Sequence, residues 1–314
     1  MKLTTKVCGF YKLDAVKIVD GEEIKRPLTG WFPNLITNSG LDSIASGWSY
    51  IYRCVVGTGS SSPNATDIAL VNQVAATASI IAQENEVNST SPYYRRYVKV
   101  YRFGEGVAAG NLSEVGITDS SSPHTLFSRA LILDDFGDPT TITVLSDEYL
   151  DVTYEFRFYP QESDVTGSVT FTGNLGGTYN YTLRPARIGS LVGQFGSAHT
   201  RYPPGMDNRR AQYYSTNALC HSYDGDIGLI TDNSPSGTAL AIPYNRLSVA
   251  YTNGTYTQTL TMQADPTDWN HATGIKSVAV HWGHNLWQIS FTPPIPKTAD
   301  DVLSLTFSHT WARM

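Results

Sequence analysis

The most informative stretch of the chain is Leu145-Ser-Asp-Glu-Tyr-Leu-Asp-Val-Thr-Tyr-Glu-Phe-Arg-Phe158. From Leu150 onward it is rich in β-branched and aromatic residues, which favour an extended strand. A related stretch, Thr298-Ala-Asp-Asp-Val-Leu-Ser-Leu-Thr-Phe-Ser-His-Thr-Trp311, follows at an offset of 153 residues (300 minus 147). An acidic pair, Asp147-Glu148 or Asp300-Asp301, precedes each strand. Such residues close turns by accepting hydrogen bonds from backbone N–H groups, so we predict a structural role for both pairs.

Three further pairs of segments occur in the same order in the two halves of the chain. They are Val98–Tyr101 with Gln258–Thr261, Ser113–Ile117 with Lys276–Val280, and Leu126–Leu131 with Leu286–Phe291. Matching segments in one order indicate an internal repeat, with a boundary near Pro160–Asp164. We therefore predict an all-β fold of two antiparallel β-sandwich or jelly-roll domains, residues 1–160 and 161–314, with a few short helices.

Alternation and turn residues predict further strands. In the segment 93–103, one face would carry Tyr93, Arg95, Tyr97, Lys99 and Tyr101. The segment Arg246–Met262 is typical of a hairpin, because Asn253-Gly254 at its centre suits a two-residue type I′ turn. That turn would place Tyr251 opposite Tyr256 and Leu247 opposite Leu260.

Helix signals are few. One helix is predicted from Asn38 through Ala45. A second is predicted after Pro63, where an amphipathic stripe contains Ile68, Val71, Ala75 and Ala78. A third prediction covers residues 203–219.

Composition and charge argue against several classes of function. The chain has 314 residues, of which 16% are charged, and its net charge is −6. Nucleic-acid-binding domains usually carry a basic face, so no nucleic-acid partner is expected. No stretch approaches the roughly 20 apolar residues of a membrane span, so no membrane partner is expected. Cys8, Cys54 and Cys220 lack a zinc-type spacing and are interpreted as free thiols.

Two loops carry residue types that ligate metals, and a structural interpretation is favoured for both. The segment His281-Trp-Gly-His284, with His271 and Asp268 nearby, has no known zinc signature. The segment Tyr223–Gly228, with Asp232-Asn233, departs from the EF-hand spacing. The acidic pairs are adjacent in sequence at strand mouths, and no Gly-x-Ser-x-Gly elbow occurs. We expect no catalytic residue, no metal and no cofactor.

Two aromatic groups are the candidate contact residues. Tyr93, Arg95 and Tyr97 combine rings with a guanidinium group, which can stack on sugars or bases, although a sheet face or subunit contact is favoured. Trp282 and Trp287 belong to a Trp-rich C-terminal segment. For these two residues core packing, a protein interface and glycan contact all remain open.

An ordered series of phrases extends over roughly the first half of the chain. It consists of Asn34–Leu41, Cys54–Ser60, Pro63 with Thr66–Leu70, Val100–Phe103, Gly110–Ile117, Leu126–Leu131, Thr140–Leu145 and Leu150–Tyr159. As a series, it resembles a class of tailed-bacteriophage virion proteins from the tail, tail-fibre and baseplate region.

The resemblance implies a structural component of a phage tail, such as a ring, sleeve, baseplate or fibre-attachment protein. Such a protein acts by assembly of identical subunits and not as an enzyme. Its implied partners are copies of itself and other tail proteins, and its implied location is the virion tail after synthesis in the host cytoplasm. Two alternatives stay open: a head decoration or head-fibre protein, and a carbohydrate-binding receptor module that contacts a host-surface glycan.

Overall fold

Antiparallel β-strands form most of the structure. This computed structural model describes residues 1–46, 50–121, 123–189, 220–282 and 285–314. The strands of the first half are β1 (Lys2–Val19), β2 (Glu22–Pro27), β3 (Phe32–Pro33), β4 (Leu35–Ile36), β5 (Arg53–Gly57), β6 (Gln73–Thr77), β7 (Ile80–Asn88), β8 (Tyr94–Phe103), β9 (Gly110–Leu112), β10 (Glu114–Thr118), β11 (Leu126–Leu131), β12 (Ile142–Val144) and β13 (Tyr149–Pro160). Those of the second half are β14 (Val165–Phe171), β15 (Gly177–Ala186), β16 (Cys220–Tyr223), β17 (Ala239–Ala241), β18 (Leu247–Tyr251), β19 (Thr257–Ala264), β20 (Ile275–Trp282), β21 (Asn285–Ile295) and β22 (Leu303–Arg313). Among these residues there is one α-helix, α1 (Asn38–Ser46), and 3₁₀ turns lie at Gly173–Leu175 and Tyr244–Arg246.

The largest sheet has nine strands, with the long strand β1 at its centre. Its main order is β18-β19-β22-β1-β13-β8-β7, and β2 and β3 also pair with β1. A five-stranded sheet has the order β4-β11-β10-β5-β6, and a six-stranded sheet has the order β14-β15-β21-β20-β16-β17. A small sheet joins β9 and β12. The prediction of an all-β sandwich fold is confirmed.

The five-stranded and six-stranded sheets pack against the same face of the nine-stranded sheet. On that face, Tyr154 of β13 contacts Phe127 of β11, with ring centroids 6.4 Å apart. Further along the same face, His309 of β22 contacts Trp287 of β21 at 5.3 Å. The core therefore continues from the first half into the second, and β1 lies between the two contributions.

The two halves repeat one pattern of strand pairing. Each half contains three hairpins and then a final strand. In the first half they are β5–β6, β7–β8, β10–β11 and β13, and in the second half they are β16–β17, β18–β19, β20–β21 and β22. In each half the final strand pairs with the second hairpin, as β13–β8 and β22–β19. The first hairpin pairs with the third, as β5–β10 and β16–β20. The division into domains 1–160 and 161–314 stays a prediction. Strands from both halves contribute to the nine-stranded sheet.

The acidic pairs close turns at equivalent places in the repeat. A Glu148 carboxylate oxygen accepts a hydrogen bond from the Leu145 N–H at 2.9 Å. An Asp301 oxygen accepts one from the Thr298 N–H at 2.8 Å. The hydrogen bond from Arg26, with a smaller contribution from the Leu145 N–H, holds the pKa of the Glu148 carboxyl group below its usual range. The hydrogen bond from the Thr298 N–H does the same for the pKa of Asp301. The predicted turn-closing role is confirmed.

One predicted helix is confirmed and one is wrong. The helix at Asn38 is α1. The stripe that follows Pro63 forms a loop, residues 58–72, and then the strand β6. The helix does not form because the buried Glu114 carboxylate binds the loop backbone, accepting hydrogen bonds from the N–H groups of Val71 at 3.2 Å and Asn72 at 2.9 Å. The third predicted helix, residues 203–219, lies outside the described residues.

The hairpin around Asn253-Gly254 is confirmed, but its register is shifted. Tyr251 lies opposite Gln258 and not Tyr256, and Leu247 lies opposite Met262 and not Leu260. The loop is longer because Asp42 of α1 holds its tip, accepting a hydrogen bond from the Gly254 N–H at 2.6 Å and another from the Tyr251 hydroxyl. Gly254 alone of the central pair has a positive φ, 80°, so the turn is not type I′. A shift of two residues keeps each side chain on its predicted face.

A buried ion pair anchors the loop 58–72. Glu114 is fully buried, and its carboxylate also accepts hydrogen bonds from the Gly59 N–H at 2.9 Å and from Arg129 Nε at 3.0 Å. Arg129 is 1% exposed and reaches Asp67 at 2.7 Å. Every partner is supplied from within the fold, so removing one member leaves the others desolvated and unpaired.

We expect Glu114→Ala to lower the free energy of unfolding by about 3–5 kcal/mol, since it leaves the Arg129 charge buried beside unpaired backbone donors. The exposed Glu105→Ala is the matched control and is expected to change it by less than about 0.5 kcal/mol. Urea denaturation followed by circular dichroism measures both variants. Equal small effects would show that the ion pair does not anchor the loop.

His309 lies buried where β1 meets β22. Its Nε2 is hydrogen-bonded to Thr5 Oγ1 at 2.7 Å, and its ring contacts Trp282 and Trp287 edge-on. Burial among these residues lowers the pKa of His309 to about 3 from an ordinary value of 6.5. The folded protein therefore holds this histidine neutral at a pH where the unfolded chain binds a proton.

Stability is expected to fall as the pH drops from 6.5 towards 5, because the unfolded state gains a proton that folded His309 rejects. The slope from this group is up to about 1.4 kcal/mol per pH unit. In His309→Gln that part of the slope should disappear, whereas the exposed His124→Gln should keep it. Chemical denaturation at several pH values measures it, and an unchanged slope in His309→Gln would contradict the assignment.

Candidate interaction sites

The structure places the two candidate tryptophans in the core. Trp282 is 2% exposed and Trp287 is fully buried. Trp282 Nε1 donates a hydrogen bond to Gln258 Oε1 at 2.8 Å, and Trp287 Nε1 donates one to the Trp282 carbonyl at 3.1 Å. Of the three alternatives for these rings, core packing fits this placement. Direct contact with a glycan or a neighbouring subunit does not fit it.

The Tyr-Arg segment presents the opposite face to the one predicted. Arg95 is 6% exposed and Tyr97 is fully buried, while Tyr93 precedes β8 and is half-buried. Their face continues through Tyr101 and Phe103, so apolar burial turns it towards the core. The outward side chains of β8 are instead those between them, which include Tyr94 and Arg96.

These outward side chains line an open groove on the solvent side of the nine-stranded sheet. Its volume is about 580 Å³, within the range of small-ligand sites. Strands β1, β3, β7, β8 and β13 supply most of its lining, which consists of Phe10, Trp31, Pro33, Glu86, Val87, Asn88, Tyr94, Arg96, Glu155 and Arg157. Apolar rings and planar polar groups are therefore mixed across one surface.

The charged groups of the groove are held in fixed positions. Arg157 lies between two rings, with its guanidinium carbon 4.7 Å from the Phe10 centroid and 4.8 Å from the Tyr94 centroid. The buried Glu155 carboxylate accepts hydrogen bonds from Arg157 Nε at 2.5 Å and from Arg96 Nε at 2.8 Å. Burial alone would lower the pKa of Arg157, but hydrogen bonds with Tyr159 and Glu155 raise it above its ordinary value. Both guanidinium groups stay charged and rigid.

A β-hairpin, which we call the arm, projects from the nine-stranded sheet. It consists of residues 14–27, where β1 pairs with β2 across a two-residue turn. Asp20 and Gly21 have φ values of 53° and 84°, as a type I′ turn requires. Arg26 at its base donates a hydrogen bond to Glu148 at 2.6 Å. All of β2 is exposed, and in the described part of the chain it pairs only with β1.

The arm exposes apolar side chains on both of its faces. Ile18 is 48% exposed and lies opposite Glu23, whereas Ile24 is 56% exposed and lies opposite Lys17. Alternating residues of a strand point to opposite faces, so Ile18 and Ile24 point in opposite directions. The arm is also tied to its own subunit, because Arg102 of β8 donates a hydrogen bond to Glu23 at 2.5 Å and Lys17 pairs with Asp147, yet both isoleucines stay exposed.

Beside the base of the arm, a rigid acidic loop presents an aromatic ring. Phe136 is 92% exposed at the tip of the loop 134–138. Asp134 Oδ1 fixes the loop by accepting hydrogen bonds from the N–H groups of Phe136 and Asp138, each at 2.9 Å. A cleft of about 660 Å³ separates this loop from the arm and is lined by residues 26–30, 134–135 and 140–143. We call Ile18, Val19, Ile24 and Phe136 the arm–loop surface.

The described residues among those considered for metal ligation have partners in the protein. His271 Nε2 is hydrogen-bonded to Ser222 at 2.8 Å, and Asp268 accepts a hydrogen bond from the Asp265 N–H at 3.0 Å. Asp226 pairs with Lys276 at 2.8 Å, and Asp232 accepts one from the Leu229 N–H at 2.8 Å. Within the described residues no group of three potential ligands converges. His284 lies outside them.

The sequence contains local signals for both surfaces. Asp20-Gly21 between alternating residues is a strong hairpin signal. In the segments 84–86, 96 and 155–157, charges recur at every second residue, which predicts a polar sheet face. Their convergence with Trp31 depends on the pairing of β1 with β3 and β13 and has no local signal.

Comparisons with known proteins give this chain no relatives: no family model, no curated protein and no solved structure matches it. In the described residues, no helix has the length and apolar character needed to cross a lipid bilayer.

Proposed function

We propose that this chain is a structural component of a bacteriophage tail, in a ring, sleeve, baseplate or fibre-attachment position, and that it acts by subunit assembly. The arm–loop surface is the observation that carries the proposal. A projecting hairpin with apolar residues on both faces is stabilised when a neighbouring copy covers it. The resemblance of the first half to tailed-phage virion proteins supplies the biological setting.

The chemistry of the arm–loop surface favours specific contact over loose aggregation. The edge strand β2 carries Glu22, Glu23, Lys25 and Arg26 and ends at Pro27, features that discourage uncontrolled strand addition. The exposed Phe136 is surrounded in sequence by Asp134, Asp135 and Asp138. An aromatic anchor within a charged rim is typical of an interface hot spot. The contact therefore combines apolar burial with charges that select the partner.

We expect the purified chain to form closed oligomers, and Ile18→Lys with Ile24→Lys to shift the equilibrium towards monomer by about tenfold or more in concentration. Ile68→Lys is the matched control, because Ile68 is 67% exposed in a different part of the protein. Light scattering coupled to size-exclusion chromatography measures the mass of each variant. Circular dichroism verifies that the variants fold.

Immunogold electron microscopy of intact particles tests the location. Gold at the tail is the expected result, and gold over the head would favour the decoration alternative instead. A chain that stays monomeric and is absent from purified particles by mass spectrometry would overturn the proposed function.

A further inference from the structure

The groove on the solvent side of the nine-stranded sheet has no role in the assembly contact described above. Its lining comes from Phe10, Trp31, Pro33 and the outward residues of β7, β8 and β13. None of these residues belongs to the arm–loop surface. Trp31 is 49% exposed, which is unusual for the largest side chain in a protein whose other described tryptophans are almost fully buried.

Trp31 and the floor of the groove offer two kinds of contact side by side. The tryptophan provides a broad apolar ring on one wall. On the opposite wall, Glu86, whose side chain is 54% exposed, offers a carboxylate group, and Asn88 offers its Oδ1, because its Nδ2 already donates to the Thr90 and Pro92 carbonyls at 2.8 Å each. The floor holds Arg157 and Glu155, fixed by ring stacking and hydrogen bonds. A ligand that fits needs an apolar face and many neutral hydroxyl groups at its edge, which describes a pyranose sugar.

The charges of the groove decide between ligand classes. Arg96 contacts Glu84, Glu86 and Glu155, and Arg157 also contacts Glu155. Two guanidinium groups thus face three carboxylates, so a phosphate or an acidic sugar would meet net repulsion. A cationic ligand would compete with the arginines for carboxylates they already bind. Sugar hydroxyls both donate and accept hydrogen bonds, so they can use both kinds of group without disrupting these pairs.

We infer that this groove binds a neutral oligosaccharide, with the Trp31 ring stacked on one sugar and with Glu86 and Asn88 Oδ1 accepting hydrogen bonds from the hydroxyl groups of another sugar of the same ligand. The volume of about 580 Å³ accommodates a short oligosaccharide segment. This activity is independent of the assembly role, because the two surfaces share no residue.

The test begins with the full chain on an array of neutral and acidic oligosaccharides, and titration calorimetry follows with the neutral oligosaccharide that is retained best. Trp31→Ala is expected to weaken binding by about tenfold or more, and Trp31→Phe, which keeps a ring, by about threefold or less. Glu86→Gln, a rim substitution that should leave the fold intact, is expected to weaken binding by about threefold. Tyr52→Ala is the control, since it removes an exposed ring that belongs neither to the groove nor to the arm–loop surface, and should leave affinity unchanged.

Retention of no neutral oligosaccharide, or retention of acidic ones alone, would overturn the inference. Equal binding by the wild-type chain, folded Trp31→Ala and Glu86→Gln would overturn it as well. Failure of the assembly proposal would be seen differently: the chain would be monomeric while sugar affinity still depended on Trp31.

Discussion

The pairing of β1 with β13 on one side and β22 on the other is the constraint on which the rest of the fold depends. Residues 5–16 of β1 pair antiparallel with β13, and residues 2–7 pair parallel with β22. The first strand of the chain thereby joins the last strand of each half into one sheet. The buried His309 and Thr5 seal this junction, so the start and the end of the chain depend on each other for stability.

The repeated halves meet the same structural need with different chemistry. Each half has a loop inside its first hairpin, residues 58–72 in the first half and 224–238 in the second. A buried side chain of the third hairpin binds the backbone of that loop. In the first half Glu114 binds the loop N–H groups. In the second, Gln288 accepts a hydrogen bond from the Gly228 N–H at 2.8 Å, and Ser277 donates one to the Gly225 carbonyl at 2.7 Å. Both anchors are fully hydrogen-bonded, but the charged one has the larger desolvation cost and leaves the larger penalty when a partner is removed.

The solvent side of the nine-stranded sheet divides into two surfaces of different character. Over β7, β8 and β13 it is charged and aromatic, and it forms the groove. Over β19 and β22 it is a ladder of hydroxyl groups, with Thr257 bonded to Thr310 at 2.9 Å and Thr261 close to Thr306 at 3.2 Å. The two halves share the pattern of the face that packs on the core and differ on the outer face. Within the described residues, the groove is therefore a feature of the first half.

The sequence by itself determined the all-β class, the helix at Asn38, the turns closed by Glu148 and Asp301, and the matching order of strands, because these follow from local alternation and turn chemistry. Tertiary structure decided which face of each strand is buried. Residue type alone does not distinguish the two faces of this strand, since one carries Tyr93, Arg95 and Tyr97 and the other carries Tyr94 and Arg96. Tertiary structure also decided the loop after Pro63, since the backbone N–H groups that a helix would use bind Glu114. It decided the hairpin register as well, since Asp42 binds the tip of the hairpin. In each case, the deciding partner lies far away in the chain, so no local pattern contains the information.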